Sequence, residues 1–137
     1  MGTRSTIALE YADGTVEQVY CHWDGYLSHN GKILQEHYSN PFKLKQLLAL
    51  GAMSSLCETV EETKGGAYHH WRGEELMINK FKDLKDYYEN CQGEEYDYIL
   101  SPKDGKAQWY VRSYATQENW ITLENAFEQE ALEEEME

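Results

Sequence analysis

Several features are scarce in this chain, and each scarcity closes off a class of protein. Cysteine occurs three times, singly at positions 21, 57 and 91. The number is odd and no C-x-x-C pair exists, so neither a disulfide framework nor a zinc module is expected; reduced thiols in a cytosolic protein are. Basic residues number 12 against 25 acidic ones, for a formal net charge of −13. A nucleic-acid backbone is repelled by such a chain, whereas a basic partner surface is attracted and its association accelerated. Long apolar runs are missing too. No window reaches the length of a membrane span, and the opening MGTRSTIALEYADG has no signal-type apolar region. Gly2 and Thr6 fit the short myristoylation pattern, against which stands the strand that begins at once. No phosphate-cradling glycine loop, dinucleotide fingerprint or nucleophile elbow occurs. Ser54-Ser55 has no assignable base, and nothing local activates Cys57 or Cys91. No catalytic set and no cofactor are therefore expected.

What is present suits one folded domain. The 137 residues are 41% hydrophobic and 13% aromatic, enough for a core. Eleven tyrosines and four tryptophans outnumber three phenylalanines, so most aromatic surface carries a polar handle, as half-buried sheets and interfaces do. Residues 5–23 read as a β-hairpin: Ile7, Leu9 and Tyr11 alternate with smaller or polar residues, Asp13-Gly14 turns the chain, and Val19, Cys21 and Trp23 alternate on the return. Two short helices are expected at 29–38 and 41–51, the second with Pro41 near its start, Leu44, Leu47 and Leu48 inward and Gly51 as its stop. Residues 52–80 carry a weak pattern, with a strand possible at Ala67–Trp71, and 81–90 reads as a helix or an aromatic loop. A second hairpin pairs Tyr96–Leu100 with Gln108–Tyr114 through a turn from Pro102 to Gly105. Residues 120–137 form a helix capped by Thr122, with Leu123, Ala126, Phe127 and Ala131 on its inner stripe. The expectation is a single α+β domain over residues 1–137: antiparallel hairpins packed with three or four short helices, and Trp23, Leu47, Leu48, Trp109, Val111 and Phe127 in the core.

The stretch CHWDGYLSHNG (21–31) gathers the ligand-type side chains His22, Asp24 and His29. Their spacing matches no helical metal motif, and His69-His70 would point to opposite faces of a strand. A hairpin end accounts for more of it: Cys21 and Trp23 face in, His22 and Asp24 face out, Gly25 lets the chain turn, and Ser28 or Asn30 caps the next helix.

Charge is most lopsided at the end of the chain. Residues 118–137 hold eight glutamates and no lysine or arginine, which is −8 of the −13. On a helix, Glu124 and Glu128 fall in one row and Glu130 and Glu134 in another. Carboxylates four residues apart are about 6 Å apart along the axis, on the scale of phosphates spaced about 3.4 Å apart along a DNA strand. Glu94, Glu95 and Asp97 could extend the row. A solvated face that merely keeps the protein soluble is the plain alternative.

The run TRSTIALEY, DGTV, VYCHWDGYLSHNGKILQEHY, LLALGAMSSL resembles the opening of small proteins encoded by bacteriophages and prophages, over about the first 56 residues. The resemblance brings no catalytic residues. It implies a phage origin and the bacterial cytoplasm as the place of action. The expected function is then an anti-defence inhibitor that binds a host defence or nucleic-acid-processing protein by mimicking phosphate charge. Glu124, Glu128, Glu130, Glu133, Glu134, Glu94, Glu95 and Asp97 would be its contacts, with no direct nucleic-acid or membrane binding and no metal. The alternative is an oligomeric sponge for a nucleotide immune signal. Trp23, Tyr26 and Trp71 would stack the base, with Tyr20 and Tyr68 nearby, and Arg72 would pair the phosphate, with Arg4 and Arg112 nearby.

Overall fold

A computed structural model describes residues 3–65, 78–91, 93–103, 106–113 and 119–136. The architecture is α+β: one six-stranded mixed sheet with helices packed on it. Strands β1 (Ser5–Glu10) and β2 (Val16–Cys21) form the first hairpin, with Ile7 opposite Val19. Its turn uses Gly14 at φ +93°, and the Asp13 carboxylate accepts from both the amide and the hydroxyl of Thr15. A π-helical turn (Leu27–Gly31) runs into α1 (Lys32–His37), followed by α2 (Pro41–Leu48) and α3 (Val60–Lys64). Strand β3 (Asn79–Phe81) and α4 (Leu84–Asn90) come next, then the second hairpin, β4 (Tyr96–Lys103) and β5 (Lys106–Ser113). A short β6 (Ile121–Thr122) leads directly into α5 (Leu123–Met136).

Local chemistry sets most of the helix starts. Asn40 accepts from the Phe42 amide ahead of Pro41, Thr59 from the Glu62 amide, Asp83 from the Asp86 amide and Thr122 from the Asn125 amide.

The sheet order is β3-β2-β1-β4-β5-β6, and β1 and β4 run parallel with Ile7 opposite Tyr98. Both hairpins are antiparallel as expected, and they are joined edge to edge by a parallel seam. The second hairpin also runs further than its proline suggests, because Pro102 stays in β4 opposite Ala107. The expected strand at Ala67–Trp71 lies outside the described residues.

Alternation divides the sheet into two faces. On one, Ile7, Leu9, Val19, Cys21, Tyr98, Leu100, Trp109 and Val111 meet Leu34, Leu44, Leu47, Leu48, Leu123 and Ala126 of the helices. On the other, Ala8, Val16 and Ile99 lie under Tyr87 of α4, with Phe81, Tyr110 and Trp120 around them. Of the expected core, Leu47, Leu48, Trp109 and Val111 are buried and Phe127 packs half-buried against it. Trp23 does not belong there: it is 44% exposed, because β2 ends at Cys21 and the alternation stops with it.

A polar cluster crosses the seam on the second face. Asp97 is 1% exposed, and its Oδ1 accepts from the Thr6 hydroxyl at 2.6 Å and the Glu94 amide at 3.1 Å. Its Oδ2 accepts from Arg112 Nη2 at 3.1 Å, and that guanidinium lies over the Trp120 ring at 4.9 Å. Asp97 is therefore an internal tie and not a surface contact, which corrects its place among the expected partner residues. Replacing it strands Arg112 and the Thr6 hydroxyl in a largely dry site. Asp97→Ala is expected to cost about 3 kcal/mol of stability, measurable by urea denaturation.

Candidate interaction surface

The loop after Cys21 is fixed from several sides. Backbone amides of His22 and Trp23 donate to the carbonyls of Met53 and Ser54, at 3.0 and 2.8 Å. The Gly25 amide donates to Thr3 O at 2.8 Å, and the Tyr98 hydroxyl donates to Gly25 O at 2.6 Å. Asn30 is fully buried. Its side-chain NH2 reaches Ser5 Oγ at 3.2 Å, Cys21 Sγ at 3.4 Å and Trp23 O at 3.4 Å, while its oxygen meets His29 Nδ1 at 2.9 Å. Asn30 thus braces the loop from inside, and the π-helical turn starts after Tyr26 with no side-chain cap. That corrects the expectation that Ser28 or Asn30 caps a helix.

Asp24, not Gly25, takes the left-handed conformation, with φ +59°. Gly25 is needed for space: a Cβ there would stand 2.7 Å from Ser5 Cβ and 2.9 Å from Thr3 O. A non-glycine residue at positive φ costs energy and persists where the surroundings over-determine it, and here the bonds just named do so.

The result is a braced platform that turns aromatic groups outward. Trp23 is 44% and Tyr26 38% exposed. The His22 ring stands edge-on to Trp23 with centroids 4.6 Å apart, and its Nδ1 is 2.7 Å from the Tyr20 hydroxyl. Among the described residues no three metal-binding side chains converge, and the Nδ1 atoms of His22 and His29 are both engaged by neighbours.

The acidic helix lies beside this platform. α5 buries Leu123 and Ala126, half-buries Phe127, and touches the π-helical turn. Ser28 of that turn, Lys32 and Glu36 of α1, and Phe127 and Glu130 of α5 line one shallow surface depression of about 310 Å³. Glu124 and Glu128 share an exposed row. Glu130 is half-buried and, with Glu95, acts on Tyr96; burial first and those two carboxylates next hold the Tyr96 phenol above its usual pKa. The parallel stacking of Tyr96 on Tyr98, and the bond from Tyr98 to Gly25, connect the glutamates to the loop.

Ala131 is exposed and Leu132 58% exposed, so the inner stripe ends earlier than its periodicity suggests. The backbones of Glu133 and Glu134 continue the helix. Glu94 is half-buried, its amide spent on Asp97.

The residues of the nucleotide reading are less well assembled. Arg112 is committed to Asp97, and Tyr68, Trp71 and Arg72 lie outside the described residues. Trp23 and Tyr26 are exposed but serve either reading. The sequence offered no sign of Asn30 as the brace, since a buried asparagine looks like any loop asparagine until its partners are known. Comparison with known protein families, with curated proteins and with solved structures returned no match for this chain.

Two outcomes follow from this geometry. Gly25→Ala should cost about 1–3 kcal/mol in unfolding free energy through overpacking, with Trp23 fluorescence changed in the folded state. Burial, partly offset by the Asn30 bond, pushes the Cys21 thiol up to about 11, so almost no thiolate is present at pH 8. Iodoacetamide at pH 8, read by peptide mass spectrometry, should leave Cys21 untouched in the folded protein while the half-buried Cys57 and Cys91 react first.

Proposed function

We propose that this chain is a phage-encoded inhibitor that occupies the basic, nucleic-acid-handling surface of a bacterial host protein, and that it acts by binding and not by catalysis. The observation that carries the reading is the adjacency of an exposed acidic helix to outward aromatics on a braced loop. Glu124 and Glu128 offer an exposed row of carboxylates, Glu130 and Glu95 act on Tyr96, and Trp23 and Tyr26 precede the π-helical turn that α5 touches. Charge steers a basic partner toward such a surface, but exposed ion pairs contribute little affinity by themselves. Aromatic anchors that become desolvated supply most of it. A braced loop adds to this, because the side chains are ordered before the partner arrives.

The phage assignment is supported by the resemblance of the first 56 residues, and a bacterial cytoplasmic site of action follows from it. Among the described residues no helix is long and apolar enough to cross a membrane. The nucleotide-sponge reading has weaker support, since Arg112 is held internally by Asp97.

The test starts with capture of a partner from bacterial lysate and then asks how it is held. Glu124→Lys with Glu128→Lys should weaken binding at least tenfold, and Tyr26→Ala or Trp23→Ala should each cost about 2 kcal/mol of affinity. Nucleic acid and this protein should exclude each other on the target, and affinity should fall as salt rises. Unchanged binding by the glutamate reversals ends the charge-mimic mechanism. A large thermal stabilisation by a cyclic or linear nucleotide, with no protein captured, favours the sponge instead.

A further inference from the structure

A second feature lies at the opposite end of the parallel seam. The platform surrounds the starts of β1 and β4, through Thr3, Ser5 and Tyr98. At the far end the two strands part company. Their ladder stops at Leu9 opposite Leu100. Beyond it β1 enters its hairpin turn, whereas β4 runs on to Lys103. The start of α2 lies over the opening. Leu9, Tyr11, Pro41, Phe42, Leu100 and Pro102 make most of a groove of about 280 Å³.

Three properties of this groove point to one ligand chemistry. Its walls are almost wholly apolar, and Phe42 on its rim is 81% exposed, the most exposed large hydrophobic side chain among the described residues. Its cation is Lys45, whose ammonium lies over the Tyr11 ring at 5.7 Å and has no carboxylate within ion-pair distance among the described residues. The first turn of α2, which borders the groove through Pro41 and Phe42, likewise carries no acidic side chain. Carboxylates are near but engaged: Glu17 accepts from the Tyr11 hydroxyl and sits 3.9 Å from Lys80 Nζ, Asp13 accepts from Thr15 while also acting on Tyr11, and Glu10, which borders the groove, acts on Tyr88 at the other face of the sheet.

We propose that this groove binds a small free carboxylic acid with one aromatic ring or branched aliphatic group, the apolar part between Leu9, Phe42 and Leu100 and the carboxylate at Lys45. The volume lies at the small end for ligand pockets, which favours a single ring over a long chain. This site is separate from the acidic surface and does not depend on the inhibitor reading.

Phenylacetate is the probe, followed by amide NMR shifts on the intact chain. Saturable shifts are expected at residues 9–12, 41–45 and 100–102, with Kd of about 1 mM or tighter. Phenylacetamide, which has the same ring without the charge, should bind at least tenfold more weakly. Lys45→Met keeps the apolar stem and should bring phenylacetate down to the level of the amide, with the far-UV circular dichroism unchanged. The comparison of acid with amide uses unaltered protein and so stands even if the variant fails to fold. Equal binding of acid and amide, or no saturable shifts at 10-fold that concentration, overturns the proposal. Two other outcomes overturn it as well: tighter binding of a peptide ending in phenylalanine, which makes the groove a peptide site, or groove shifts that follow protein concentration alone, which makes its occupant a second copy.

Discussion

Thr6 and Asp97 stand 91 positions apart in the chain and 2.6 Å apart in the fold. Around that contact the parallel seam of β1 and β4 joins two hairpins that are each local and unremarkable. The buried carboxylate is tolerated because all its bonds are charge-assisted or made to backbone: a hydroxyl, an amide and a guanidinium surround it. Arg112 in turn is covered by Trp120, so the aromatic cluster with Tyr87 and Tyr88 is anchored to the same point. The first face is apolar; on the second, the buried Asp97 carboxylate, bonded from Thr6 and Arg112, ties the two hairpins in one register.

The seam also sets where the candidate sites lie. At its start, Ser5 and Tyr98 hold the loop that presents Trp23 and Tyr26. At its end, unequal strand lengths leave the groove under α2. Rigidity is concentrated at the first of these. Asp24 keeps a costly backbone conformation there because Asn30, Met53 and Thr3 leave it no other. α5 touches that side through Phe127 and Glu130, so one side of the protein combines a braced loop with an exposed acidic row at Glu124 and Glu128.

Much of this architecture could be read from the sequence, and what could not has a physical cause. Local signals succeeded: the Asp13-Gly14 turn, the Asn40-Pro41 start of α2, the Thr122 cap and the leucines of α2 each depend on neighbours within a few residues. The parallel seam did not show, because two hairpins can join by either edge and in either direction, and no local residue decides it. Trp23 was misplaced inside because strand alternation was carried two residues past the end of β2. Asp97 was misplaced outside for the opposite reason: in an acidic chain one more aspartate carries no sign of burial until Arg112 is known to lie opposite it in the register. The groove at Lys45 left no trace in the sequence, since it arises from a difference in strand length.

The seam has a consequence for how the chain is made. During synthesis β1 leaves the ribosome before its inner neighbour β4, which follows some 90 residues later. At about 5–20 residues per second, the edge of β1 that will become the middle of the sheet waits on the order of 5–20 s without its partner. The first hairpin can close alone, yet a two-stranded ribbon is only marginally stable. Until Asp97 arrives, Thr6 and the apolar faces of β1 are open to whatever edge comes first, including that of another nascent chain. Slow pairing between distant segments, rather than the stability of the finished sheet, is the step at which this protein is most exposed to error.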